Sequence, residues 1–320
     1  MYALLCAALV LLAPLQALAD AAQGYPVRPI KLVVPFPAGG SADMVARLIA
    51  KPLSEKLNQP VLIDNRPGAD GAVAAEYVAK AEPDGYTLFM ATYGAMSAVP
   101  FLHKSIHYDA LQDFTAVTAT GTFAFFLFVH PSVPVKTLPE LLNYVRQHPG
   151  ELNYGTGNVG SIVASAEWSA VNKLEMTQVP YKGEVPAMND FLAGRVQLMF
   201  ATPVNALPWV KEGKLRAVVT LQDKRSALLP DVPTMAEVGV RKLSIVPWAG
   251  LFGPARMPPH ITQQLSAAVN EILRREDLQG EFAKLGFEPH GSSPAQLAAY
   301  VKDQLALWGQ IIESAGIKPE

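Results

Sequence analysis

Short apolar runs alternate with amphipathic stretches along most of the chain, which predicts strands that alternate with helices. After the first strand, Val45, Ile49 and Leu53 recur at helical spacing, and Ser41 is expected to cap the helix that carries them. The elements predicted for the first third are strand 30–34, helix 41–57, strand 61–64, helix 72–81 and strand 87–91.

A second series of strands and helices follows, and two longer segments connect it to the first. Segment 114–129 is unusually long and β-prone and is predicted to pass from one half of the molecule to the other, and 244–252 provides the return. The elements predicted after residue 130 are helix 138–148, strand 152–154, helix 161–173, strand 178–180, helix 185–193, strand 196–200, helix 205–212, strand 215–220, helix 261–274 and helix 294–315.

This rhythm is typical of βαβ units, so the predicted fold class is α/β with mainly parallel sheets. The chain is longer than a single core usually serves, which favours two lobes over one large domain. We expect residues 25–122 and 247–320 to form lobe I and residues 123–246 to form lobe II.

The first residues indicate export. An apolar run of about a dozen residues ends in Ala17-Leu18-Ala19, the small-x-small pattern cut by signal peptidase, so residues 1–19 are expected to be a signal peptide cleaved before Asp20. The run is shorter than the ~20 residues of a membrane span. No Lys or Arg precedes it, which keeps an uncleaved anchor as the alternative.

The cysteine count and the net charge limit the classes of function expected for this chain. The single cysteine, Cys6, lies in the expected signal peptide, so disulfides, thiolate metal sites and cysteine catalysis are not expected in the mature chain. A formal net charge of -2 with scattered signs predicts neither nucleic-acid nor membrane-surface binding. The expected partner is a small molecule.

The loop 35–43 between the first strand and helix is the most informative motif. Gly39 and Gly40 allow the backbone to approach a ligand, and a helix start presents free N–H groups to an anion. The loop matches neither G-x-G-x-x-G nor a P-loop, so no nucleotide cofactor is predicted. The alternative is an ordinary turn in which Asp43 complements the helix dipole; as a carboxylate, Asp43 also repels an anion.

Loop 154–161 repeats this arrangement in the second series, with glycines and hydroxyls between a strand and a helix. Loop 180–183 adds an aromatic ring and an ammonium through Tyr181 and Lys182. Two such loops facing each other across a cleft would hold one ligand from both lobes. The alternative is again plain turn chemistry with a solvated lysine.

Catalytic and metal motifs are absent from the sequence. It contains no G-x-S-x-G, S-x-x-K or H-E-x-x-H, and the six histidines are dispersed. His103 and His107 are four residues apart but lie in a segment that is predicted to be a loop. No catalytic residue, metal or cofactor is therefore predicted.

Several motifs in order resemble the Bug or TctC-type extracytoplasmic solute receptors of tripartite tricarboxylate transport systems. The resemblance covers residues 25–316. Its motifs are VVPFPAGGSAD at 33–43, DNRPGA at 64–69, PDGYTL at 83–88, VPYKG at 179–183, LPDVPT at 229–234 and WAGLF at 248–252.

The resemblance implies a type II periplasmic binding fold, with two α/β lobes joined by two crossing strands that close around a ligand. It implies that loops 36–43 and 155–161 hold a carboxylate through backbone groups and water, with Asp43 turned away from the anion. Dicarboxylates, tricarboxylates, acidic amino acids and aromatic acids are ligands of similar proteins. A membrane permease or a sensor is the implied partner, and a monomer the expected state.

Three departures from the family pattern bear on the ligand. Ala95-Met96 stands where a Thr-His pair is common, Ala164 where a histidine is common, and Ala201 where an aspartate is common. These apolar replacements favour a monocarboxylate with an apolar or aromatic body. Glu184, where a small residue is usual, adds an anchor for a ligand amine.

The expected function is thus periplasmic capture of a small carboxylate for delivery to a permease. A ligand-presenting sensory module and an exported enzyme using the same cleft are the alternatives. The residues expected to bind the ligand are Phe36, Ala38, Gly39, Gly40, Ser41, Asp43, Gly94, Ala95, Met96, Gly155, Thr156, Gly160, Ser161, Tyr181, Lys182, Ala201 and Thr202.

Overall fold

Two β-sheets organise the chain in the computed structural model, which describes residues 24–241, 243 and 245–319. The predicted signal peptide and its cleavage before Asp20 lie outside the described residues. So does Ser244, the first residue of the predicted return segment.

The first sheet has six strands in the order β11-β4-β10-β3-β1-β2. β1 pairs in parallel with β2 and β3, as expected for strands joined by helices, whereas β10 pairs antiparallel with β3 and β4. Its strands are β1 (Ile30–Val34), β2 (Val61–Asn65), β3 (Thr87–Thr92), β4 (Phe114–Phe123), β10 (Trp248–Pro254) and β11 (Phe287–Pro289).

The second sheet has five strands in the order β7-β6-β8-β5-β9. β6 pairs in parallel with β7 and β8, and β5 runs antiparallel to β8 and β9. Its strands are β5 (Phe126–Val129), β6 (Asn153–Thr156), β7 (Thr177–Pro180), β8 (Leu198–Ala201) and β9 (Arg216–Thr220).

The chain crosses between the sheets twice, side by side. The β-prone segment 114–129 is not one strand, because Ala124 and Phe125 separate β4 in the first sheet from β5 in the second. The return ends at β10, which begins at Trp248 and not at 244; the preceding Pro247 has no N–H for a strand ladder. Phe123 N donates to the Pro247 oxygen at 2.8 Å, so the two crossings are hydrogen-bonded to each other.

The predicted α/β fold class, with two lobes joined by two crossing strands, is confirmed. The expectation of mainly parallel sheets is wrong: five of the nine strand pairings among the described residues are antiparallel, and each of the five involves β4, β5 or β10, the strands next to the crossings. The lobe boundaries near residues 122 and 246 stay a prediction. The helices of the described residues are α1 (Ser41–Leu57), α2 (Ala72–Ala79), α3 (Val99–Leu102), α4 (Leu138–Gln147), α5 (Val159–Asn172), α6 (Glu184–Leu192), α7 (Pro203–Lys211), α8 (Pro259–Leu273), α9 (Glu276–Lys284) and α10 (Pro294–Ser314).

Several helix starts differ from the prediction. Ser41 is the first residue of α1 and not its cap; Gly40 occupies the cap position, and no side chain caps the helix. α5 begins at Val159 because Asn158 caps it and forms a capping box with Ser161. Gly155 and Thr156 consequently belong to strand β6 and not to a loop.

The sequence pattern missed five short elements, one of which is helix α3. Helix α9 and the three-residue strand β11 follow α8, and a 3₁₀ turn at Ala69–Gly71 precedes α2. The chain also makes one wide helical turn at Gly94–Ala98, directly before α3. Elements this short contain too few residues for a periodicity to emerge.

The main hydrophobic core continues from one sheet to the other along α5 and α10. Val163 and Trp168 of α5 belong to the same buried cluster as Tyr93 and Trp308. Trp308 is fully buried and stacks on the Tyr93 ring, with 5.2 Å between the ring centroids. Within the residues described, no helix is long and apolar enough to cross a membrane.

Replacing Trp308 by Ala is expected to lower the free energy of unfolding by about 3–5 kcal/mol, because the change leaves a large cavity beneath Tyr93. Urea unfolding of both proteins measures the difference. Val73→Ala, at a position 48% exposed on α2, is the control and should stay within about 0.5 kcal/mol. A loss below about 1 kcal/mol for Trp308→Ala would mean that α10 is not a structural link between the sheets.

Candidate ligand-binding cleft

A cavity of about 330 Å³ lies between the two sheets. The β1–α1 loop forms one wall, together with Thr92 and Tyr93 at the end of β3, and the crossing segments contribute Phe123 and Pro247. The opposite wall comes from the second half of the molecule: Gly157, Asn158, residues 182–186, Thr202 and Asn205.

Four helices begin at this cavity. Their N-cap residues are Gly40 for α1, Asn158 for α5, Gly183 for α6 and Thr202 for α7, and all four line the cavity wall. The first N–H groups of a helix have no intrahelical acceptor, and the helix dipole places partial positive charge there. The cavity is therefore electropositive at several points, which favours an anion.

Asp43 lies behind the β1–α1 loop and stabilises the conformation of the loop. Gly39 adopts φ +84°, a left-handed conformation that glycine accepts without strain. Its N–H donates to Asp43 Oδ2 at 2.9 Å, and Arg47 Nε donates to the same oxygen at 2.9 Å. Asn65 Nδ2 donates to Asp43 Oδ1 at 2.8 Å, so the buried carboxylate is fully engaged and does not line the cavity.

These contacts keep Asp43 ionised. Burial by itself raises the pKa of the Asp43 carboxyl, but the hydrogen bonds from Arg47, Gly39 and Asn65 outweigh it and hold that pKa below its usual range. Because Asp43 lies behind the cavity wall and is paired with Arg47, it repels an anion in the cavity less than an unpaired carboxylate on the wall would.

One direct hydrogen bond crosses the cavity. Ser41 Oγ at the start of α1 lies 3.1 Å from Thr202 Oγ1 at the cap of α7. Thr202 Oγ1 in turn lies 3.1 Å from Glu184 Oε1. The two walls are therefore connected by a short chain of hydrogen bonds.

Two glycines allow close packing around the cavity, Gly160 between the two walls and Gly157 within the second wall. A Cβ on Gly160 would lie 2.5 Å from the hydroxyl oxygen of Tyr93, so only glycine lets the start of α5 rest against β3. A Cβ on Gly157 would lie 2.5 Å from the Gly183 oxygen and 2.7 Å from the Glu184 nitrogen. Such separations are far below normal contact distances, so both glycines are required for this packing.

A buried hydroxyl on the first wall lacks a partner. Thr92 is 2% exposed, lines the cavity and, within the described part of the chain, has no hydrogen-bond partner for Oγ1. Buried polar groups are nearly always hydrogen-bonded. The Thr92 hydroxyl is thus a buried polar group next to the cavity that no described residue satisfies.

Comparison with known proteins gives the family. The sequence model of one protein family, the tripartite tricarboxylate transporter family receptors, matches residues 45–317. The chain belongs to this receptor family. Protein BugT of Bordetella pertussis is 33% identical over 300 residues, which cover 93% of this chain and 92% of BugT.

Solved structures agree. The structure of R. palustris Rpa4515 with adipate superposes with a TM-score of 0.87 at 35% identity and covers 93% of this chain and 100% of that one. MatC (Rpa3494) from Rhodopseudomonas palustris with bound malate gives a TM-score of 0.79 at 34% identity, covering 90% and 100%. Receptors of this family are periplasmic solute-binding proteins, and this family member is not an enzyme.

The structure brings together seven of the residues that the sequence predicted for this receptor's site. They line the cavity and are Phe36, Ala38, Gly39, Gly40, Ser41, Lys182 and Thr202. Lys182 is exposed and, with Glu184, is one of two charged residues on the described wall.

The other predicted residues lie outside the cavity wall. Asp43 and Ser161 are buried behind it and hold the loops in place, Ser161 through the Asn158 capping box. The turn that packs under α10 buries Gly94, Ala95 and Met96. The cavity wall next to this turn is formed by Thr92 and Tyr93, which precede it in the chain. The remaining members of this group are Gly155 and Thr156 within β6, Gly160 against Tyr93, Tyr181 bonded to Asp190, and Ala201 in the second core.

Sequence reasoning missed the residues that enter the cavity through tertiary packing. Thr92 is the last residue of β3 and Tyr93 follows it, but nothing in the sequence marks this strand end as facing the cleft. Phe123 and Pro247 enter only because the crossings lie side by side. Asn205 was predicted merely as the start of a helix, yet it lies in the first turn of α7 beside Glu184.

Asp43→Asn is expected to lower the free energy of unfolding near pH 7, because Asn cannot reproduce the charged contact with Arg47. The folded-state pKa of Asp43 lies below the ordinary value of about 3.9. This stabilisation is therefore present above that value and is lost as pH falls through the folded pKa. Urea unfolding of both proteins between about pH 7 and pH 3 should show a difference that shrinks on acidification; a constant difference would exclude an ionic role for Asp43.

Proposed function

We propose that this receptor captures a small carboxylate-bearing molecule in the cavity between its lobes and delivers it to a membrane permease. The convergence of four helix N-termini on one cavity carries this proposal, because such ends bind anions through unpaired N–H groups and aligned dipoles. The ligand carboxylate is expected at the start of α1, where the wall carries no acidic side chain.

The relatives support an acid as the ligand. The two solved structures described above contain adipate in one case and malate in the other, and both compounds are small carboxylic acids. A volume of about 330 Å³ is at the lower end of the ~300–1,000 Å³ of ligand pockets. The cavity thus suits a small acid better than a nucleotide.

The walls favour a ligand with an apolar body. Phe36, Phe123, Val185 and Pro247 present apolar surface to the cavity. The positions that the sequence identified as apolar departures do not line it: Ala95, Ala164 and Ala201 are fully buried in the cores. The preference for a monocarboxylate with an apolar or aromatic body therefore rests on the wall and stays part of the proposal.

We further infer a periplasmic location after removal of residues 1–19, and action as a monomer. A clamp that closes by movement of two lobes within one chain needs no second subunit. A ligand-presenting role towards a sensor would use the same cleft.

A thermal-shift screen of the mature protein is expected to show stabilisation by a small monocarboxylate such as hexanoate and none by its amide. A ligand at 100 times its Kd adds about 2.7 kcal/mol of stability. Equal shifts with acid and amide, or no shift with any carboxylate tested, would contradict a carboxylate receptor.

Ser41→Pro tests the proposed anion contact directly. Proline is tolerated as the first residue of a helix, and the change removes both the N–H and the hydroxyl of Ser41. Gly40 already has the extended conformation that precedes proline, with φ -74° and ψ 162°. Loss of a charge-assisted hydrogen bond of about 1.5–3 kcal/mol should weaken binding of the acid about ten- to hundredfold, as measured by calorimetry.

Ser41→Ala is the matched control, because it removes the hydroxyl and keeps the N–H. It should weaken binding less than Ser41→Pro does. If the two variants lose affinity equally, the hydroxyl and not the backbone group would be the ligand contact.

A further inference from the structure

Glu184 is the one acidic side chain on the described wall of a cavity that otherwise favours anions. It is the first residue of α6. Its Oε1 accepts hydrogen bonds from Thr202 Oγ1 at 3.1 Å and Asn205 Nδ2 at 3.3 Å, and its Oε2 accepts from Asn158 Nδ2 at 3.2 Å.

These donors are the groups that a bound anion would use on this wall. Asn158 is the cap of α5, Thr202 is the cap of α7, and Asn205 lies in the first turn of α7. The carboxylate of Glu184 thus lies among three helix N-termini, counting that of α6. On the second wall of the cavity, the side chain of Glu184 therefore occupies the position in which an anion would otherwise bind.

The position of Glu184 is imposed by close backbone packing. Gly157 has no Cβ, which lets the backbone before α5 touch that of Gly183 and Glu184. The separation of Asn158 from the start of α6 is therefore fixed by main-chain contact and not by flexible side chains.

We propose that Glu184 acts as a built-in carboxylate that fills the second anion position of the cleft and restricts the receptor to ligands with a single carboxylate. This inference rests on the proposed function, since it assumes that the start of α1 binds the ligand's carboxylate. It makes Glu184 a specificity-determining residue.

Two physical effects exclude a second carboxylate. An ionised carboxylate has about four acceptor positions, and the three donors named above occupy three of those of Glu184, so these donors are not available to a ligand. A ligand carboxylate placed beside Glu184 would also face a like charge without a counterion, which costs several kcal/mol at a desolvated contact. Protonation of Glu184 would weaken the first effect without abolishing it, because one oxygen becomes a donor while the other still accepts.

The same engagement argues against Glu184 as an amine anchor, the role suggested by the sequence. A ligand ammonium would have to compete with donors that are already in place. The ligand end that faces Glu184 is instead expected to be apolar or weakly polar, in agreement with neighbouring Val185 and Pro186 on the wall.

The test compares acids that differ by one carboxylate. Isothermal titration calorimetry at neutral pH would measure the Kd of hexanoate against adipate and of benzoate against terephthalate. Wild-type protein should bind the monocarboxylate of at least one pair ten times or more tighter than the dicarboxylate. Glu184→Ala should reduce that ratio at least tenfold by improving the affinity for the dicarboxylate.

Glu184→Gln separates occupancy from charge, because it keeps the size of the side chain without its charge. It should retain most of the exclusion of the dicarboxylate. Glu212→Gln, at the opposite end of α7, is the control for loss of one negative charge and should leave the ratio unchanged. Circular dichroism confirms that each variant is folded, and Glu184→Ser repeats the truncation with a polar side chain.

The possible results distinguish a failure of the role proposed for Glu184 from a failure of the proposed carboxylate-receptor function. An unchanged ratio in both truncated variants, with the monocarboxylate still bound, would overturn the role of Glu184 and leave the carboxylate receptor intact. Full relief of the exclusion by Glu184→Gln would overturn occupancy in favour of charge repulsion. Absence of binding by all four acids to wild type and variants would contradict the proposed function itself.

Discussion

Four helix N-termini point at one cavity, and their partial positive charges repel one another unless negative charge lies between them. The surrounding structure is arranged around this constraint. On the second wall, the carboxyl group of Glu184 lies among three of these ends and accepts hydrogen bonds there. On the first wall, Asp43 lies behind the loop, where it orients Gly39 and is compensated by Arg47. The space at the start of α1 is left for a ligand anion.

The pKa values of the two acidic residues are shifted in opposite directions: Asp43 is buried, and Glu184 is partly buried in the cavity wall. Hydrogen bonds and the adjacent guanidinium hold the pKa of Asp43 below its usual range. Burial raises the pKa of Glu184 and outweighs its amide and hydroxyl donors, since no cation among the described residues pairs with it. Asp43 is therefore a permanently charged part of the scaffold. Glu184 is a group whose position, more than its charge, limits what the cleft can accept.

The sheets determine where these groups meet. Parallel strands with helices after them place the helix starts at one edge of each sheet, and the hydrogen-bonded crossings between Phe123 and Pro247 bring the two edges face to face. Gly157 and Gly160 then allow main chain and ring to approach to distances that any side chain would prevent. The stacked pair Tyr93 and Trp308 supports this contact from the core.

The sequence by itself determined the regular elements and the chemistry of the first loop. Apolar periodicity locates α1 and β1 with their observed bounds, because both are long or buried enough to carry a clear pattern. The glycines of loop 36–43 mark a close backbone approach, since that property is local. Only the tertiary structure decided which polar groups face the cavity: Thr92, Asn158 and Asn205 are ordinary residues in the sequence and become a site through long-range packing. The same packing buries Ala95, Met96 and Ala201 in the hydrophobic cores. The direction of a side chain at the end of a strand or helix depends on neighbours that are distant in the sequence, so the sequence pattern did not predict this burial.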